Sequence, residues 1–222
     1  MKSRQRQTGF TLVEIAIVLV IIGLLLGGIL KGQELINSAK VKNLANDFRV
    51  IPTYIYAYQD KFKALPGDDS AAVSHLGSSA CDGSDCKNGN GNGVIDGNWN
   101  DAASTKSETV EFWSHVRIAN LASGPTVTTD GSFTPRNAMT GVLGVSSTAT
   151  GQLQVSGMSG TYQVCSAGIP GKFAKQLDVQ MDDGNTAAGS MRAVPDGSAM
   201  GTAGTATASI VDGDNYTVCM TF

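Results

Sequence analysis

The chain has 222 residues, with sixteen Lys and Arg against nineteen Asp and Glu, a net charge of −3 and an aromatic content of 6%. That balance offers no broad basic surface to nucleic acid. The two histidines, His75 and His115, have no readable Ser or Cys partner, and no phosphate-cradling loop is present, so an enzyme is not expected.

The first nine residues carry Lys2, Arg4 and Arg6 and no acid, and residues 10–30 are then apolar apart from Thr11 and Glu14. A run of this length can cross a bilayer. The basic start should stay in the cytoplasm, which places everything after Lys31 on the outer side of the inner membrane. A secretory signal is cut after its apolar run, whereas here the small-residue junction, Gly9–Phe10, precedes it. Cutting there leaves the apolar helix on the mature protein.

Read together, Thr8-Gly9-Phe10-Thr11-Leu12-Val13-Glu14 resembles the leader of the type IV pilin and pseudopilin family. The resemblance implies that residues 1–9 are removed after Gly9 by a prepilin peptidase and that the new N-terminal Phe10 is methylated. It also implies that Glu14, fifth in the mature chain, pairs with the Phe10 amine of a neighbouring copy and so sets the register of a filament. A carboxylate in a membrane costs roughly 2.5–3.5 kcal/mol at the bilayer centre and less near an end, so a cationic partner is called for. The plainer reading of Glu14 is that it favours the positive end of the helix dipole. The partners implied are the peptidase/methylase, further copies of this chain and other pilins, the inner-membrane assembly machinery, and membrane lipid before assembly.

Gly23, Gly27 and Gly28 each cost about 1 kcal/mol relative to Ala in an ordinary helix. Close helix packing through the Gly23-x-x-x-Gly27 spacing is one use for them. Local unwinding in an assembled filament, as the family suggests, is another.

Beyond Lys31, Leu44, Phe48, Ile51, Ile55, Tyr58 and Phe62 recur at spacings of four and three, which predicts one apolar stripe on a continuing helix through residues 31–63. Pro52 removes an amide donor inside that pattern, so a kink is expected near it. Leu65-Pro66-Gly67-Asp68 ends the periodic region. Residues 64–222 are then a periplasmic or extracellular head, and the fold class expected is α+β, a long N-terminal helix packed on an antiparallel sheet.

Within the head, residues 108–121 read as a second helix, and residues 161–165 and 215–222 as strands. Asp182-Asp183-Gly184-Asn185, after residues 177–181, reads as a hairpin turn. Residues 195–209, rich in Gly, Ala, Ser and Thr, offer little to bury and read as a mobile or surface loop.

All four cysteines follow the membrane segment, on the oxidising side, which favours disulfides. Of the three possible pairings we expect Cys81–Cys86, bracketing one loop, and Cys165–Cys219, tying the last strand back to the sheet. Their spacing fits no zinc finger. Between the first pair and Trp99, the residues Asn88, Asn90, Asn92, Val94 and Asp96 resemble an EF-hand calcium loop, with Gly93 at its sixth position. Asn replaces the usual acids, and Trp99 stands where a bidentate Glu belongs, so Asp82, Asp85 or Asp101 would have to help. A plain Gly-Asn turn cluster is the alternative. No cofactor is otherwise required, and calcium is the one possible.

Three functions are compatible with these features. The first is a major or minor subunit of a type IV pilus, serving adhesion, twitching or DNA uptake. The second is a pseudopilin of a type II secretion system, in which a calcium loop is frequent. The third is a membrane-anchored adhesive or calcium-binding module that never polymerises.

Overall fold

The computed structural model describes residues 11–81, 86–149 and 151–222. Its helices are α1 (Leu12–Phe62), α2 (Ala72–Leu76), α3 (Ser78–Cys81), α4 (Glu108–Ile118) and α5 (Gly171–Met181). Its strands are β1 (Leu143–Ser147), β2 (Tyr162–Pro170), β3 (Met191–Pro195) and β4 (Asn215–Thr221). The strands form one antiparallel sheet in the order β1-β2-β4-β3, so the fold is α+β. The chain divides into two compact units, Met1–Lys40 and Val41–Phe222.

In the first unit, residues 12–30 of α1 are apolar and exposed on every side: Leu12, Leu19, Leu24 and Leu30 are among the side chains open to solvent. No polar face competes, because residues 12–30 hold no charge but Glu14. A helix that is apolar all round needs lipid or other helices to cover it.

In the second unit, Leu44, Phe48, Ile51, Ile55 and Tyr58 are buried as the spacing predicts. Leu44, Phe48, Ile51 and Ile55 share one core with Val110, Phe112 and Val116 of α4 and with Val145, Val164 and Val218 of the sheet. Pro52 sits within α1 without ending it. Lys63, at φ +57°, stops the helix in a left-handed turn.

The sheet is covered on both faces. Alternation along each strand sends Val164, Val218 and Ala193 into the core shared with α1 and α4. It sends Cys165, Cys219 and Val194 to a second cluster with Trp99, Val155 and Met158. Cys165 and Cys219 stand directly opposite each other on β2 and β4 and are joined by a disulfide, their Cα atoms 4.1 Å apart. Cys81 and Cys86 form the other disulfide.

Both sheet edges are occupied by the chain's own loops. On β3 the Ala193 amide donates to the Thr186 carbonyl and the Ala193 carbonyl accepts from Thr205. On β1 the amides of Leu143 and Ser147 donate to Pro135 and Ile95. An edge engaged in this way does not template another strand.

Two sequence expectations need correction. Residues 177–181 are the end of α5, so the Asp182–Asn185 turn follows a helix and is not a hairpin. Phe173, Ala174 and Leu177 are buried, a spacing of one and three that holds a helix face, but it is too short to separate from a strand by pattern alone. The second helix stops at Ile118, three residues early. Asn120 takes a left-handed φ of +60°, and the amides of Asn120 and Leu121 fold back on the carbonyls of Arg117 and Val116. That is a Schellman ending with Asn in the place Gly usually holds.

Residues 195–209 lie along the β3 edge. Thr205 bonds Ala193, Thr202 bridges Val155, and residues Thr207–Ser209 form a 3-10 turn.

Candidate functional site

At the start of α1 the helix is closed by the side chain the sequence singled out. Thr11 precedes the first helical residue, and its backbone N–H and its hydroxyl both donate to Glu14 Oε2, at 2.8 and 2.7 Å. The Glu14 N–H returns a bond to Thr11 Oγ1 at 3.3 Å. This is a reciprocal capping box, which satisfies amides that no intrahelical carbonyl can reach. The Thr-x-x-Glu spacing that signals it was present in the sequence, and Thr11 was the functional side chain left unread.

The cap fixes where the carboxylate stands. Glu14 is exposed on the first turn of an apolar helix, one turn from the chain end that removal of residues 1–9 would create. Gly9 and Phe10 lie outside the described residues. The charge is held by hydrogen bonds and has no cationic partner among the described residues. A second molecule's ammonium group would therefore find an accessible acceptor here.

Further along, Gly23, Gly27 and Gly28 have open space where a Cβ would stand. Bare backbone on an uncovered apolar helix lets another helix approach closely.

The Gly-Asn loop of the head is held by carboxylates that come from outside it. Asp68, buried at the end of the α1 connection, accepts the amides of Gly91 (2.6 Å) and Asn92 (3.0 Å) on one oxygen and Gly93 (2.7 Å) on the other. Gly91 and Gly93 are needed because their φ values, +75° and +82°, turn successive N–H groups inward as a nest around an anion. Glu108 accepts the amides of Asn90 and Asp96 at 2.8 and 2.9 Å. Burial pushes the Glu108 carboxyl above its ordinary range against these two bonds, and neighbouring Asp68 and Asp96 push it the same way.

Of the five expected ligands, Asn90, Asn92 and Asp96 come together. Both amide nitrogens donate to Asp96 Oδ2, at 2.9 and 2.8 Å. Asn88 instead accepts from the Val73 amide, and the Val94 amide donates to Asn92. Trp99 is buried in the second cluster with its indole N–H on Gln154. Asp101 caps the Asn98 amide, and Asp82 and Asp85 lie outside the described residues. The loop carboxylates thus already meet N–H donors, and among the described residues no group of three His, Cys, Asp or Glu could hold a metal.

Both histidines are engaged in hydrogen bonds within the head. His115 is buried, and burial pushes its pKa down. Its Nδ1 accepts from the Gly67 amide at 2.9 Å while Nε2 donates to the Lys87 carbonyl at 2.7 Å. His75 pairs with Asp69, which also accepts from the Tyr58 hydroxyl at 2.8 Å. These bonds tie the end of α1 to the residues that follow it.

The family described as the prokaryotic N-terminal methylation motif matches residues 4–30. No curated protein and no solved structure matches the chain.

Proposed function

We propose, taking the type IV pilin and pseudopilin leader at residues 4–30 as the premise, that this chain is a structural subunit of a type IV pilus. It is cut after Gly9, methylated on Phe10, held in the inner membrane by residues 10–30 with its head in the periplasm, and then assembled through that same helix with its own copies. The observation that carries this reading is a wholly exposed apolar stretch of α1, residues 12–30, whose one carboxylate sits accessible on the first turn.

Energetics explain why Glu14 is the selective element. Moving an apolar helix from lipid into a bundle gains no hydrophobic free energy, because lipid tails are as apolar as leucine. What changes is the environment of the charge and the closeness of packing at Gly23 and Gly27. An incoming Glu14 that meets the Phe10 amine of a subunit already in place gains a partner it lacks in lipid. The same pair fixes the axial step.

The secretion-system alternative shares every feature of the helix. Pilus over pseudopilus is favoured by the head, whose Gly-Asn loop is closed by Asp68, Asp96 and Glu108, and whose sheet is stapled by a buried disulfide. Shearing intact cells separates the two. The pilus reading expects the chain in the sheared fraction at levels far above any periplasmic marker. A chain confined to the cell envelope would favour the pseudopilus.

No cation is required in this reading. Chelation with EDTA should leave the melting temperature within about 1 °C, whereas Asp68→Asn keeps one acceptor oxygen, turns an NH2 donor toward the remaining loop amide and should cost about 2–4 kcal/mol. For a chain of this size that is a fall of roughly 5–10 °C. Saturating calcium at a hundred times its dissociation constant would instead add about 2.7 kcal/mol. A melting temperature that climbs several degrees with calcium would restore the EF-hand reading.

A further inference from the structure

Between Val41 and Phe62 the buried stripe of α1 leaves the opposite side of the helix uncovered. Lys42, Asn46, Arg49, Thr53 and Tyr56 recur at spacings of four and three and are all exposed, so they form one row. Tyr56 is 57% exposed. Lys63 is tied to Asp60 at 3.2 Å, but among the described residues neither Lys42 nor Arg49 has an ion-pair partner.

The head carries the opposite sign. Residues 64–222 hold seven Lys and Arg against fifteen Asp and Glu. Past Lys40, the large apolar side chains left exposed among the described residues are Tyr56, Val179 and Val211. Val211 opens a loop, Val211-Asp212-Gly213-Asp214, in which all four residues are exposed. Asp212 bonds Lys175 at 2.6 Å, while the Asp214 carboxylate has no partner among the described residues.

We propose that the Lys42, Arg49 and Tyr56 row of one copy docks on the Val211-to-Asp214 loop of a second copy of this chain. The pairing sets two unlike charges, Arg49 and Asp214, around an aromatic and an aliphatic contact, and Arg and Tyr are the side-chain types that dominate protein interfaces. The row and the loop are different patches on one molecule, so the contact is heterologous and can repeat from copy to copy, as a filament requires. A sheet with both edges occupied cannot supply that contact. The proposal rests on the filament reading above, in which the helix drives assembly and this contact selects the orientation of successive heads.

All four native cysteines are in disulfides, so a short bis-maleimide added to intact cells reads only introduced thiols. The full-length Arg49→Cys, Asp214→Cys double variant should give a ladder of dimers, trimers and higher multiples, and each single variant should give none. No ladder in the double variant, or a dimer in a single variant, overturns the contact. Adding Glu14→Ala separates the two claims. A ladder that survives this change keeps the head contact and sinks helix-driven assembly. Sheared filaments that depend on Glu14, in cells where the double variant gives no ladder, keep the filament and sink the contact.

Discussion

Glu14→Ala should lower the yield of sheared filaments a hundredfold or more while leaving processed chain in the membrane at its usual level. The size follows from what is lost at the assembly step. Breaking a buried ion pair by removing one partner costs about 3–5 kcal/mol, because the other charge is left uncompensated. The stranded group here is the Phe10 amine of the neighbour. The change also removes the bonds from Thr11 at 2.8 and 2.7 Å, so Ala alone does not separate capping from pairing. Glu14→Gln does, because Gln serves a capping box as well as Glu does but carries no charge. Filament loss with Gln as severe as with Ala assigns the effect to the ion pair. Recovery with Gln would show that the helix start only needs its cap.

Replacing Cys165 and Cys219 together by Ala should destabilise the head by about 4 kcal/mol, from the loop-closure entropy that the bridge removes from the unfolded chain. The sequence separation is 54, long enough for that entropy to be large. The bridge is also buried in the second cluster, against Trp99, Val155 and Met158, so the smaller side chains leave a gap that adds to the loss. Thermal unfolding of the double variant against the oxidised protein reads the difference directly. An unchanged midpoint would mean that the register of β2 and β4 is held by their backbone ladder alone. Cys81–Cys86, at a separation of 5, closes a much shorter loop, and its removal should cost less.

The parts of the fold carried by long periodicity were legible. The stripe from Leu44 to Tyr58 repeats over four turns, and such a run specifies a helix and its buried face at once. The short elements were not. β1 and β3 are five residues each, and β1 reads Leu-Gly-Val-Ser-Ser, where only the two apolar residues mark the inner face. α5 follows Pro170 and buries only Phe173, Ala174 and Leu177 along its apolar face, too little pattern to distinguish a helix from a strand.

At the candidate site the difference is between local and distant information. Thr11 and Glu14 are three residues apart, so their capping box was available to a reader of the sequence. Asp68 meets Gly91, Asn92 and Gly93 across 23 to 25 residues, and Glu108 reaches Asn90 across 18. Spacing within Asn88 to Asp96 therefore suggested cation ligands, while the anion that the loop amides surround came from elsewhere in the chain.

The most direct measurement of the central claim is mass spectrometry of the intact chain recovered from sheared surface material. A mature protein that begins at Phe10, carries one N-terminal methyl group and retains both disulfides is the result expected. A chain that still begins at Met1, or one cut after the apolar helix, would contradict it.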